Sequence, residues 1–163
     1  MKVFTLRGSG KSGKTTTIKY LKDTYLINHR NKNDFFYQCK NDFTAVYEIR
    51  MEQKKHKIIV TSYGDKKEIL CQQLLKVYNF YFNTTLRDFE DIIVRGLNWQ
   101  GFVLFICASR THGETCDLLE DICDGNVQNL KVIKKEKKYD DKEKAEEMYN
   151  GINKMLSHNP ANS

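Results

Sequence analysis

Apolar residues recur along the chain in short runs of two kinds. Consecutive or alternating apolar positions are typical of strands, and such runs occupy residues 2–6, 43–50, 58–61, 102–108 and 129–134. Apolar positions three or four residues apart are typical of amphipathic helices, and they occur after residue 15 and at residues 65–82, 85–97, 114–123 and 140–156. The alternation of the two patterns predicts an α/β sandwich with a mostly parallel sheet.

Two of the predicted strands are expected to pair as an antiparallel hairpin. Residues 43–50 alternate, the polar segment 51–56 reads as the turn, and residues 58–61 form a short apolar strand. The run 102–108 is apolar on both faces, as expected of a central parallel strand. The predicted sheet is therefore parallel apart from one antiparallel hairpin strand.

Length and composition limit the class of protein. A chain of 163 residues with 40% hydrophobic and 29% charged residues suits one soluble domain with one core, predicted over 1–156 with a frayed tail at 157–163. The first strand begins at once, which leaves no room for a signal peptide, and the longest apolar run is too short to span a membrane. We expect a cytoplasmic protein without a membrane partner. Its five scattered cysteines are expected to be reduced and mostly packed.

The net charge of +6 has a local source, the segment Lys131 to Lys138, which holds five lysines and one glutamate. One interpretation is a solvated edge strand and loop. The other is a patch for nucleic acid or another polyanion.

Residues 8–15 read Gly-Ser-Gly-Lys-Ser-Gly-Lys-Thr and match the phosphate-binding pattern G-x-x-x-x-G-K-[ST]. A strand precedes the motif and a helix follows it, so the helix N-terminus would face the phosphates. The glycines allow a tight turn and close approach of backbone N–H groups to phosphate oxygens. Lys14 would bind the β- and γ-phosphates, and the Thr15 hydroxyl would ligate Mg²⁺. The predicted cradle comprises Gly8, Ser9, Gly10, Lys11, Ser12, Gly13, Lys14, Thr15 and Thr16.

With this motif the chain resembles the P-loop NTPases. The resemblance implies a three-layer P-loop NTPase sandwich, a bound nucleoside triphosphate (ATP, or GTP) and Mg²⁺. The chain also resembles small, uncharacterised bacterial and phage ATP-binding P-loop proteins, in the segments 8–17, 62–65 and 107–111. This resemblance covers most of the chain and implies a fold and nucleotide binding, but it implies no particular reaction.

The residues expected to face the phosphate-binding loop depart from the P-loop NTPase pattern. The strand 58–61 ends in Thr61 and Ser62 where P-loop NTPases carry a Mg²⁺-binding aspartate. In small GTPases an apolar strand is followed by D-x-x-G, in which the glycine contacts the γ-phosphate. If Gly64 is aligned with that glycine, Thr61 occupies the position of the Mg²⁺-binding aspartate. The same alignment puts Asp65 where the attacking water is oriented. We therefore predict Thr15, Thr61 and Asp65 as metal ligands and Asp65 as water-orienting group or general base. The alternative is that Asp65 caps the next helix.

A second strand end lies at 107–115. Arg110 is predicted to stabilise phosphate charge there, and the alternative is a surface arginine. His112 and Glu114 are candidate substrate ligands, which a Thr111/Glu114 capping box would explain equally well. The guanine-reading N-K-x-D motif is missing at this point. The literal match at 31–34 lies in the wrong loop, so ATP is favoured over GTP.

Three functions stay open. The first is a Mg²⁺-dependent NTP-binding protein with modest NTPase activity, in which Lys14, Asp65 and Arg110 are the catalytic candidates. The second is a small-molecule or nucleotide kinase, for which Glu48 is the nearest candidate base. The third is a non-catalytic nucleotide-dependent switch with a nucleic-acid-binding face at Lys131 to Lys138. The sequence leaves the oligomeric state open.

Overall fold

The structure, a computed structural model, describes residues 1–87, 94–137 and 139–157. Its strands are β1 (Lys2–Arg7), β2 (Phe36–Cys39), β3 (Asp42–Met51), β4 (Lys54–Thr61), β5 (Phe102–Ser109) and β6 (Leu130–Lys134). Its α-helices are α1 (Lys14–Leu21), α2 (Lys67–Phe82), α3 (Glu114–Ile122) and α4 (Asp141–Ser157). A π-helical turn at Lys22–Leu26 continues α1, and short 3-10 helices lie at Ile27–His29 and Val127–Asn129.

The six strands form one sheet in the order β2-β3-β4-β5-β1-β6. β1 pairs in parallel with β5 and β6, and β4 pairs in parallel with β5, whereas β3 is antiparallel to both β2 and β4. The predicted α/β class and mostly parallel sheet are confirmed. Because β3 runs against β4, the start of β3 lies at the same edge as the end of β4, with Thr44 opposite Thr61. The first residues of β3 therefore lie at the same end of the sheet as the last residues of the parallel strands.

Helices cover both faces of the sheet. Successive side chains of β1 point to opposite faces, so Phe4 packs in one apolar cluster with residues of α1 and α4, and Val3 packs in another with residues of α2 and α3. Gly151 lets α4 approach closely, since a Cβ there would lie 2.6 Å from the Phe4 ring. Burial of each large apolar side chain contributes about 1.5–3 kcal/mol to the stability of the fold. The two clusters therefore stabilise the packing of the helices on the sheet and so hold the strand ends in place.

The hairpin is tighter than the sequence predicts. β3 and β4 pair up to Met51 and Lys54, and the turn consists of Glu52 and Gln53 alone. Both have positive φ, 47° and 65°, which is the backbone geometry of two-residue hairpin turns. The prediction of a turn over 51–56 is wrong because polar residues continue the ladder. The edge strand β2 is only four residues long and largely exposed, too short to show an alternating pattern, and it was missed.

Of the predicted helix at 85–97, residues 88–93 lie outside the described residues, among them Asp88 of its predicted cap. Of the described positions, 85–87 are not helical and 94–95 are. Most of the predicted tail at 157–163 lies outside them as well. Among the helices described, none is both long and apolar enough to cross a bilayer.

Candidate functional site

The loop motif, residues 8–15, joins β1 to α1 at the edge where the parallel strands end. The Gly8 amide donates to the Ser109 carbonyl at 3.1 Å, which ties the loop to the end of β5. Ser12 turns inward and donates from its hydroxyl to the Ser9 carbonyl at 2.9 Å. Gly13, at φ 82° and ψ 22°, adopts the left-handed conformation that favours glycine and forms the N-cap of α1. The loop therefore delivers the N-terminus of α1 to this edge.

Two glycines of the motif allow close contacts with other loops. A Cβ on Gly8 would lie 2.4 Å from the Lys135 carbonyl oxygen. A Cβ on Gly10 would lie 2.3 Å from an Arg110 guanidinium nitrogen. Any larger residue would displace these neighbours, so the glycine positions are set by packing within the site.

Lys14 is folded back over its own loop. Its amine donates to the Gly8 carbonyl at 2.9 Å and to the Ser9 carbonyl at 2.6 Å, and only 5% of the residue is exposed. Burial lowers the pKa of Lys14 below its usual value; the negative charge of Asp65 opposes this shift, and Arg110 adds to it. A buried ammonium with carbonyl partners and a partial counter-charge is a ready partner for a phosphate group.

Asp65 connects the loop motif to the loop after β5. One carboxylate oxygen, Oδ1, lies 3.5 Å from the Lys14 amine and 3.1 Å from Nε of Arg110. The N-cap of α2 is Lys66, and it makes no side-chain capping bond, so the capping alternative for Asp65 has no support. The structure thus brings the three predicted catalytic candidates together. About half of Asp65 is exposed, which keeps its carboxylate accessible to solvent.

Asp42 is the acidic residue beside Thr15, the predicted metal-binding position of the motif, and sequence reasoning missed it. Its Oδ1 lies 3.5 Å from the Thr15 hydroxyl and accepts a 2.9 Å hydrogen bond from Ser62. Ser62 in turn accepts from the Phe43 amide at 2.9 Å, which fixes the group. The signal was present in the sequence: the antiparallel hairpin predicted over 43–61 brings the residues just before residue 43 close to those just after residue 61.

Thr61, predicted as a metal ligand, lies elsewhere. It is fully buried, and its hydroxyl contacts Thr44 at 2.8 Å, the Phe43 carbonyl at 3.0 Å and the Tyr63 amide at 3.2 Å. A hydroxyl has one proton and two lone pairs, so these neighbours use its whole bonding capacity. The geometry assigns Thr61 to the sheet and takes it out of the set of metal ligands.

Gly64 lies against the backbone of β5. A Cβ at this position would fall 1.8 Å from the Ala108 carbonyl oxygen, so only glycine allows the loop after β4 to cross the end of β5. Gly64 also lines the cavity described next. Its predicted contact with a terminal phosphate stays a prediction.

A cavity of about 770 Å³ opens above the loop motif. The predicted cradle contributes to its lining Gly10, Lys11, Gly13, Lys14, Thr15 and Thr16. Gly8, Ser9 and Ser12, the other predicted cradle residues, do not line it; Gly8 and Ser12 are buried and Ser9 is exposed. Asp42, Ser62 and Asp65 form the facing wall. This volume is within the range of small-molecule sites, and its floor carries the groups that are predicted to bind phosphate.

Residues Thr15, Asp42 and Ser62 offer oxygen atoms, the ligands that Mg²⁺ prefers. Mg²⁺ commonly takes one or two carboxylates together with water and substrate phosphates, so this donor set fits the ion. Among the described residues there is no group of three or more His, Cys, Asp or Glu side chains that could hold a metal without such help.

None of the candidates at the second strand end lines the cavity: Arg110 joins the site through Asp65, and His112 and Glu114 lie apart from it. His112 is exposed and contacts the Thr111 hydroxyl at 3.1 Å through Nδ1. Glu114 lies 3.9 Å from the Lys67 amine. The predicted Thr111/Glu114 capping box is wrong, because the N-cap of α3 is Gly113 and it has no side-chain capping bond.

Glu48 and the segment 31–34 also lie apart from the cavity. Glu48 forms a 2.9 Å ion pair with Lys55 across the hairpin, and a hydrogen bond from Lys55 lowers the Glu48 pKa. Asp34 accepts a 2.9 Å hydrogen bond from Tyr81. Neither the kinase base nor a guanine-reading role gains geometric support.

The basic segment is less basic at the surface than its sequence suggests. The Lys135 side chain is fully buried and forms ion pairs with Asp140 and Asp141. Lys131 lies over the Phe4 ring, 5.4 Å from its centroid. Lys134 and Lys137 are exposed, and Lys138 lies outside the described residues. The polyanion patch therefore loses Lys135, which supports the fold instead.

Comparison of the chain with protein-family models, with curated proteins and with solved structures gave no match in any of the three.

Proposed function

We propose that this protein binds a nucleoside triphosphate, ATP in preference to GTP, on a P-loop in a Mg²⁺-dependent manner and hydrolyses it slowly. The arrangement would be a three-layer P-loop NTPase sandwich. The observation that carries the proposal is the floor of the cavity, where the Lys14 amine, the Thr15 hydroxyl and the Asp42 carboxylate surround the N-terminus of α1. This set combines a cation, a helix dipole and metal-binding oxygens.

Lys14 and Arg110 would share the charge of the terminal phosphate. Both now contact the same oxygen of Asp65, which shows that one anionic oxygen can lie between them. Thr15 and Asp42 would hold Mg²⁺, directly or through water. When bound, the ion would neutralise charge on the β- and γ-phosphates.

Asp65 is the group that would orient the attacking water. The water oxygen would bond to the terminal phosphorus as the bond from phosphorus to the bridging oxygen breaks. The diphosphate would leave with that electron pair, and the water proton would pass to Asp65 and then to solvent. Slow turnover is expected because Asp65 is half exposed and is already paired with two cations.

The test is calorimetric titration with ATP in the presence of Mg²⁺, followed by assay of ADP release. Lys14→Ala removes charged hydrogen bonds worth about 1.5–3 kcal/mol, so we expect affinity to fall roughly 10- to 100-fold. Lys19→Ala, on the same helix and outside the cavity lining, is the matched control and should bind as wild type. Wild-type protein that shows no Lys14-dependent binding of ATP or GTP would refute the proposal.

A further inference from the structure

A second cavity adjoins the one above the loop motif. It measures about 480 Å³ and shares Thr16, Tyr139 and Asp141 with the first. Tyr20 and Glu143 lie on its far side. The shared residues make the two volumes neighbours around the start of α1, so a ligand anchored at the loop motif can extend from one into the other.

The ring of Tyr139 stands at the junction of these cavities. It is 97% exposed and lines both volumes. A single exposed aromatic residue is ordinary on a protein surface, so its exposure alone indicates nothing. Its position is informative, because it lines both cavities together with Thr16, the last residue of the predicted phosphate cradle.

The backbone that carries Tyr139 is held against the site. The buried Lys135 amine donates to the Lys137 carbonyl at 2.7 Å and pairs with Asp140, and it lies 3.0 Å from Asp141. Asp141 also accepts a 2.7 Å hydrogen bond from Thr17 of α1. These bonds fasten both sides of the Tyr139 position to the helix that begins at the loop motif.

The second cavity suits the uncharged end of a nucleotide. Its lining includes Asp140, Asp141 and Glu143 against one cation, Lys142. Carboxylates repel phosphate. In the lining of the first cavity three lysines balance three aspartates, so the triphosphate belongs there, with Lys14 and the helix N-terminus. A planar base, in contrast, stacks on an aromatic ring whatever its hydrogen-bonding edge.

We propose that Tyr139 is the stacking platform for the base of the nucleoside triphosphate whose phosphates bind at residues 8–15. The inference rests on the proposed function and adds the location of the base to it. Because stacking depends on ring area, purine nucleotides should bind more tightly than pyrimidine nucleotides.

The experiment compares ATP with inorganic triphosphate, which has the phosphates and no base. Both are titrated calorimetrically, with Mg²⁺, into wild type, Tyr139→Ala and Tyr139→Phe. Loss of base–aromatic stacking corresponds to roughly 5- to 150-fold in affinity. We expect Tyr139→Ala to lose that factor for ATP and to bind triphosphate as wild type does, whereas Tyr139→Phe keeps the wild-type affinity for both. Phe80→Ala is the matched control, an aromatic residue that is 54% exposed and lines neither cavity.

The outcomes separate the two proposals. If wild type binds triphosphate in a Lys14-dependent manner but Tyr139→Ala leaves the ratio of ATP to triphosphate affinity unchanged, the base lies elsewhere and only the present inference is overturned. If wild type binds neither ligand in a Lys14-dependent manner, the proposed function and the base site are both overturned.

Discussion

The hydroxyl oxygen of Thr15 lies 3.5 Å from the Oδ1 of Asp42, although 27 residues separate them along the chain. The antiparallel direction of β3 brings them together, since it places the first residue of that strand at the edge where β1 and β4 end. A carboxylate therefore stands beside the predicted metal-binding hydroxyl even though β4 ends without an aspartate.

Asp42→Asn is expected to weaken the metal site without disturbing the hairpin. The amide oxygen of Asn can still accept the Ser62 hydrogen bond, while the charge that attracts Mg²⁺ is lost. We expect the Mg²⁺ concentration for half-maximal ATP binding to rise about tenfold or more, as measured by titrating Mg²⁺ at fixed ATP.

Thr61→Val is the matched comparison for Asp42→Asn. It removes buried hydrogen bonds, so the free energy of unfolding should fall by about 1–3 kcal/mol while the Mg²⁺ requirement stays at the wild-type value. The reverse pattern, with Thr61→Val raising the Mg²⁺ requirement and Asp42→Asn leaving it unchanged, would contradict our placement of the ion.

Asp65→Asn should separate binding from turnover. The carboxylate competes with a phosphate for Lys14 and Arg110, so its neutralisation should leave ATP affinity unchanged or raise it by up to about fivefold, the range of a half-exposed ion pair. ADP release should slow by about 100-fold or more if Asp65 accepts the water proton. Asp117→Asn, on the exposed face of α3, is the control. Wild-type turnover in Asp65→Asn would remove Asp65 from the reaction.

Gly64→Ala should destabilise the site through a steric clash. A methyl group 1.8 Å from the Ala108 carbonyl oxygen forces the loop after β4 away from β5. We expect chemical denaturation to show a loss of at least about 2 kcal/mol. Gly101→Ala is the comparison, because a Cβ there meets nothing within 4 Å and only its φ of 88° is unfavourable. That variant should lose about 1 kcal/mol. Equal losses in the two variants would show that the contact with Ala108 is not tight.

The thiols should differ sharply in reactivity. Cys39 is exposed, while Cys71, Cys107, Cys116 and Cys123 are buried. Burial raises the pKa of Cys107 to about 12 and that of Cys123 to about 11. In native protein one thiol per chain should react rapidly with a disulfide reagent, and a change from about pH 7 to about pH 9 should not add a second fast thiol, since those buried groups stay protonated. Cys39→Ser should abolish the fast phase; a fast phase that persists in this variant would contradict the burial of the other four.

Local sequence predicted the elements well where their patterns were strong. The apolar run of β5 and the periodicity of α2 correspond to elements at Phe102–Ser109 and Lys67–Phe82. The glycine-rich loop was predicted to join β1 to α1, and it does so. Weak signals failed: β2 is a four-residue exposed strand, and the two-residue turn at Glu52 and Gln53 carries no glycine to mark it.

The candidate site was also predicted only in part, because some of its residues are brought together by strand direction and packing, which have no local sequence signal. Residues 8–15 are contiguous, so their chemistry follows from order alone, and Asp65 and Arg110 follow strands whose ends were expected to meet. Asp42 begins a strand, and its place beside Thr15 depends on the direction in which that strand runs. Lys135 appears in the sequence as one of five surface lysines, yet Asp140 and Asp141 hold it in the interior.

The sequence by itself thus determined the alternation of strands and helices and the match of residues 8–15 to a phosphate-binding pattern, because both depend on neighbours along the chain. The tertiary structure decided which carboxylate stands beside Thr15, that Thr61 turns into the sheet, and that Tyr139 lies at the rim of two adjoining cavities. Strand direction and helix packing set those distances, and they join residues that no local pattern connects.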